Sequence, residues 1–145
     1  MKSARRRSRE FAVQGIYQWL LNERDVTLIA DDLKETRGFE QADEKHFRSL
    51  LTGVIEHAAV LREALAPCLD RAVTELSPVE HAILLVGAHE LTHHPEIPYR
   101  VVINECVELA KTFGGTDGFK YVNGVLDRLS AAARAVEIQG AQAQQ

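Results

Sequence analysis

Two cysteines, Cys68 and Cys106, are all that the 145 residues contain. That number supports neither a disulfide framework nor a zinc knuckle, and it fits a reducing cytoplasm. Cys106 falls on an apolar helix face, where a thiol acts as a small core residue. No apolar run approaches the length that spans a bilayer. The early arginines are not followed by the continuous apolar segment of a signal peptide, because Gln14, Gln18 and Asn22 interrupt it. There is no alternating run and no hairpin dipeptide between β-branched segments, so no strand is expected. No nucleophile–base pair emerges, since Ser77 has a capping position. Gly114 and Gly115 lack the following lysine and hydroxyl of a phosphate-binding loop. No catalytic residue and no cofactor are therefore expected.

What is present is helical. A chain of this length fits one domain that buries about two-thirds of its unfolded surface. Hydrophobic residues make up 46% and charged residues 26%, the balance of a globular protein. The net charge is −4, yet Lys2, Arg5, Arg6, Arg7 and Arg9 put +5 into the first nine residues, so the remainder carries −9. A basic end on an acidic body points to local contact with a polyanion.

The first helix is predicted from about Ser3 to Leu21, with Ala12, Val13, Ile16, Trp19 and Leu20 on its core face. Arg7, Glu10, Gln14 and Tyr17 line another face. A guanidinium fork, an amide edge and an aromatic ring together suit unstacked bases of single-stranded RNA. Val26 to Arg37 is a weaker amphipathic segment with Leu28, Ile29 and Leu33 inward and Gly38 as its stop. Asp43 to Ala66 reads as one long helix, its stripe running from Phe47 to Leu65, closed by Pro67. His46 and His57 are isolated on it and expected near solvent. Ser77-Pro78-Val79-Glu80 is a helix start with a capping serine, a first-turn proline and a glutamate three residues on. That helix runs to about His93 and is apolar on most sides.

Pro98 to Leu129 reads as two helices joined by a glycine corner. Val102, Ile103, Cys106, Leu109, Ala110 and Phe113 share a face of the first, and Gly114 and Gly115 stop it. Thr116 or Asp117 starts the second. It buries Phe119, Val122, Val125, Leu126 and Leu129, and turns Asp117, Tyr121, Gly124 and Arg128 the other way. A tyrosine beside a glycine admits either a base or a neighbouring backbone.

The wording VINECVELAKTFG followed by KYVNGVLD, with RRRSREFAVQGIYQW at the start, resembles the NusB family of bacterial transcription antitermination factors. The resemblance covers the chain to about Leu129. It implies an all-α fold of two packed small helical bundles with about seven helices. Residues 1–135 would form the domain, in halves of about 1–70 and 71–135, and 136–145 a flexible tail. It also implies binding of boxA RNA in nascent ribosomal RNA transcripts, together with the small-subunit ribosomal protein NusE, within an RNA polymerase antitermination complex. Carried over residue by residue, the RNA surface comprises Arg5, Arg6, Arg7, Gln14 and Tyr17, bordered by Asp117, Lys120 and Tyr121. One departure stands out: His81 and Leu85 occupy positions where the family often carries basic residues. A protein–protein adaptor with a merely solvated arginine arm is the other reading. A ribosomal RNA methyltransferase with a NusB-like domain would need a glycine-rich cofactor loop, which is not seen.

His89-Glu90-Leu91-Thr92-His93 matches H-E-x-x-H, the helix motif of zinc hydrolases. Pro95 places the second histidine in a fraying turn, and only His94, Glu96 and Glu105 offer themselves as a third ligand. The match is expected to be fortuitous: no bound zinc, and His89→Ala affecting stability alone.

Overall fold

The computed structural model describes residues 2–114 and 117–143, with side chains to residue 140. Among these residues every regular element is helical, and eight α-helices appear rather than about seven. They are α1 (Ala4–Asn22), α2 (Val26–Lys34), α3 (Glu44–Glu56), α4 (Ala58–Leu65), α5 (Pro78–His93), α6 (Tyr99–Phe113), α7 (Gly118–Ala133) and α8 (Ala135–Ala143). Helix α1 packs on α2 and α3, and α5, α6 and α7 pack on one another. No helix is long and apolar enough to cross a membrane among the described residues.

The centre of the whole molecule is α5. It packs on α1, α3 and α4 and also on α6 and α7. Every residue from Ala82 to Leu91 is buried, which explains why its apolar residues show no one-sided pattern. Ser77 starts it as foreseen. Its hydroxyl accepts from the Glu80 amide at 3.2 Å and donates to the Glu80 carboxylate at 2.9 Å.

The structure corrects two local expectations. The long helix over Asp43–Ala66 breaks at His57 (φ −108°, ψ 17°) into α3 and α4. The stripe of Phe47, Leu50, Leu51, Val54, Leu61 and Leu65 is still wholly buried. No glycine or proline marks the break; α4 turns there to lie on α5. Leu28, expected inward, is 52% exposed, because α2 is short and buries only Ile29 and Leu33. A 3-10 turn over Phe39–Gln41 does the remaining covering. Gly38 before it has φ +93°, a conformation open to glycine. Phe39 then inserts edge-on between Phe11 and Phe47, at 5.1 Å from each.

Beyond Leu129, where the sequence has no apolar stripe, two charged residues hold the backbone in place. Arg134 is buried and donates to the carbonyls of Leu91 (2.7 Å), His94 (2.9 Å) and Glu90 (3.2 Å), so it caps the C-terminus of α5. Glu137 bonds Arg134 at 2.7 Å and accepts the Tyr99 amide at 3.0 Å, capping the start of α6. Helix α8 therefore occupies much of the stretch expected as a tail.

Candidate nucleic-acid interface

Two grooves, each of about 410 Å³, run across one side of the molecule. Val13, Gln14, Tyr17 and Gln18 of α1 line the first with Val79 and Phe113. Arg71, Ser77, Glu80, Gly114, Asp117, Gly118 and Tyr121 line the second, again with Val79 and Phe113. The shared pair forms an apolar floor resting on the core. The grooves are thus neighbours that share Val79 and Phe113, with Gln14 and Tyr17 lining one and Asp117 and Tyr121 the other.

The residues expected to bind RNA divide into groups. Gln14 and Tyr17 line the first groove, Asp117 and Tyr121 the second. Arg7 precedes Gln14 by two helical turns and shares its side of α1. Lys120 is exposed beside Asp117, 3.6 Å away. Arg5 lines a separate depression with Lys45, Ser49, His94 and Glu96. Arg6 turns to α6, where its guanidinium grips both Glu105 oxygens at 2.8 and 3.0 Å. The hydrogen bonds to Glu105 raise its already high pKa, so the charge is permanent but already partnered.

The basic arm is accordingly less free than its composition implies. Lys2 pairs with Glu10 at 2.9 Å. Arg9 is not part of the arm's surface at all: it is 3% exposed, and donates to both Glu90 oxygens at 2.8 and 3.0 Å. His46, expected near solvent, is buried too and bonds Glu90 at 2.9 Å. A chain of charges therefore links α1, α6, α5 and α3. Its partners lie as much as 99 residues apart, beyond any local pattern.

Sequence reading missed several groove residues. Arg71 sets its guanidinium over the Tyr121 ring, 4.3 Å from the centroid. The Tyr121 hydroxyl is buried beside Asp70 without hydrogen-bond geometry. Burial, with the Asp70 carboxylate nearby, pushes this phenol up, so it remains a neutral donor. At the α6–α7 corner, Lys111 and Lys120 lie 5.2 and 6.0 Å from the Phe119 ring. Arginine and lysine over aromatic rings have no sequence spacing that announces them.

Of the two positions that depart from the family's basic pattern, Leu85 is fully buried and belongs to the core. His81 is half-buried and accepts from Arg62 at 3.2 Å. Burial, with the Arg62 charge, pushes His81 down to about 4. Its folded value lies below its ordinary 6.5, so the unfolded chain takes up a proton first. Its stabilising contribution is full above pH 6.5 and is lost as the pH falls toward 4. Urea unfolding across that window should show a shallower acid loss for His81→Gln than for the wild type. Equal slopes would mean that His81 is protonated in the folded protein.

H-E-x-x-H does not build a hydrolase site. Glu90 is fully buried and both its oxygens are held by Arg9 and His46, so it cannot serve as a general base toward a substrate. The histidines of the motif are joined instead by His57, from a different helix junction 32 residues before His89 in the chain.

The sequence matches the NusB family over residues 6–131. It is 61% identical over 137 residues to the transcription antitermination protein NusB of Ralstonia nicotianae, covering 94% of this chain and 88% of that protein. Its counterpart in Thiobacillus denitrificans is 58% identical over 141 residues, covering 97% of both. Among solved structures, NusB of T. maritima superposes with a TM-score of 0.80 at 27% identity, over 91% of this chain and 94% of that one. A crystal structure of antitermination factors NusB and NusE in complex with dsRNA gives a TM-score of 0.78 at 21% identity, over 88% and 96%. With the all-helical architecture and a match over nearly the whole chain, this protein belongs to the NusB family.

Proposed function

We propose that this protein is an RNA-binding transcription antitermination factor of the cytoplasm. It binds the boxA element of nascent ribosomal RNA transcripts together with NusE, as part of an RNA polymerase antitermination complex. It performs no chemistry; its mechanism is binding and tethering. The observation that carries this reading is the pair of adjacent grooves, one lined by Gln14 and Tyr17 and the other by Asp117 and Tyr121, that share Val79 and Phe113. The exposed ring of Tyr17, with the amide edges of Gln14 and Gln18 beside it, suits single-stranded RNA. Family membership supports the antitermination role, and the related NusB–NusE–RNA complex shares the fold.

In this reading Arg7 supplies a phosphate contact next to Gln14, with Arg5 and Lys120 at the margins. Arg6 contributes only by giving up part of its bond to Glu105. A gel shift with boxA RNA and a scrambled control, with and without NusE, tests the proposal. RNA binding that is absent at low salt under both conditions would overturn it. Arg7→Ala should weaken binding to every RNA sequence and flatten the plot of log affinity against log salt by about one unit. Arg6→Ala should do less. Unchanged low-salt affinity for Arg7→Ala would remove that residue from the interface.

The pairing of Lys2, Arg6 and Arg9 within the fold specifically favours the adaptor reading. A stable complex with NusE that gains no RNA affinity would select it.

A further inference from the structure

The trio of His57, His89 and His93 is not explained by the groove, by the ion-pair chain or by helix capping. His89 and His93 lie one turn apart on α5, and His57 reaches them from the α3–α4 junction. One ring nitrogen from each lies within 4.8 Å of the others. The His89 and His93 rings stack at 4.6 Å between centroids, and those of His57 and His93 lie at 4.8 Å. We propose that His57, His89 and His93 form a binding site for a late first-row divalent ion such as Zn²⁺.

Hydrogen bonds set the two outer rings for this role. His57 Nδ1 bonds the Gly53 carbonyl at 2.9 Å. A carbonyl only accepts, so Nδ1 carries the proton and Nε2 keeps its lone pair. His93 Nδ1 lies 2.9 Å from the Thr92 hydroxyl, which itself donates to the Ala88 carbonyl at 2.7 Å. The hydroxyl therefore accepts from His93, again leaving Nε2 as the free ligand atom. Metal-bound histidines are commonly oriented by such a bond at the other ring nitrogen.

His89 supplies the inner position. It is 3% exposed, and its Nδ1 is buried with no hydrogen-bond partner, an arrangement with a cost that a ligand would relieve. Burial, with His93 and His94 nearby, pushes it down to about 4, so it is neutral at pH 7 as a metal ligand must be. The ring has its place because residue 53 is glycine: a Cβ there would stand 2.4 Å from His89 Cε1.

Three imidazoles and no carboxylate select zinc, nickel or copper over magnesium or calcium. Bonds of about 2.0–2.1 Å in a tetrahedron need ligand nitrogens about 3.3 Å apart. Rotation of His57 and His93 closes the difference, and exposed His93 leaves the fourth position to water. The ion would clasp the α3–α4 junction to the central helix, α5. It would not make an enzyme, because Glu90 faces Arg9. The sequence-based expectation of no metal sought a third ligand among His94, Glu96 and Glu105 and did not include His57.

The test uses tag-free, full-length protein stripped by chelator and titrated calorimetrically with Zn²⁺, with Mg²⁺ as control. One equivalent of Zn²⁺ should bind and raise Tm, and Mg²⁺ should do neither. His57→Ala and His93→Ala should each weaken Zn²⁺ binding at least tenfold and abolish the Tm increase. Imidazole NMR signals of the wild type decide the matter even where a variant fails to fold. Zn²⁺ should shift those of His57, His89 and His93 and leave His81 in place. No binding, undiminished binding by both variants, or shifts confined to other histidines would overturn the site.

Discussion

Glu90→Ala destabilises the folded protein by about 3–5 kcal/mol, because it leaves a buried guanidinium without its counter-charge. Arg9 is 3% exposed and has both forks committed to Glu90; its other neighbour, Glu105, stands at 3.9 Å. His46 loses its acceptor in the same step. Such a loss is a large share of the about 5–15 kcal/mol that holds a domain folded. Urea unfolding followed by circular dichroism should place Glu90→Ala near or below the threshold of folding at 37 °C. Replacing Arg9 and Glu90 together by Met and Leu should cost less than the two single changes added, since no orphaned charge remains. A Glu90→Ala variant as stable as the wild type would mean that water reaches Arg9.

The same carboxylate predicts a response to acid. Burial favours its protonated form, but hydrogen bonds from His46 and Arg9 outweigh that, and Glu90 titrates below its ordinary value of 4.5. A depressed carboxylate stabilises fully above its unfolded pKa, and its contribution is lost as the pH falls through the folded value. The wild type should therefore lose stability below pH 4.5 more steeply than Glu90→Gln.

Tyr17→Ala reduces affinity for single-stranded boxA RNA by about 5- to 150-fold, the equivalent of about 1–3 kcal/mol for one stacked base. Tyr17 is 37% exposed and lines the groove from α1, so its loss removes a stacking surface without opening the core. Tyr121 is a poorer probe, because it packs on the core and truncation would disturb α7. Tyr17→Phe keeps the ring and should bind nearly as the wild type does. Gel shifts at fixed salt separate the outcomes. Normal binding by Tyr17→Ala would show that RNA, if bound, does not follow this groove.

Helix identity was legible because it is local. A 3.6-residue period, the Ser77 cap and the Gly114 stop act over one or two turns, and α1, α5, α6 and α7 lie close to where those signals put them. Gln14, Tyr17 and Tyr121 could be singled out because side chains of unusual type shared a helix side. What the sequence by itself determined was the helical class, the core stripes and the family wording at each end. Only the tertiary structure decided which charges were free. Arg5, Arg6, Arg7 and Arg9 look alike in a row. Yet Arg6 meets Glu105 and Arg9 meets Glu90, because α1 lies against α5 and α6. The turn at His57 and the capping of α5 by Arg134 were decided there as well. Electrostatic partners are chosen by proximity in space, and a period read along one helix contains no information about the helix that will pack beside it.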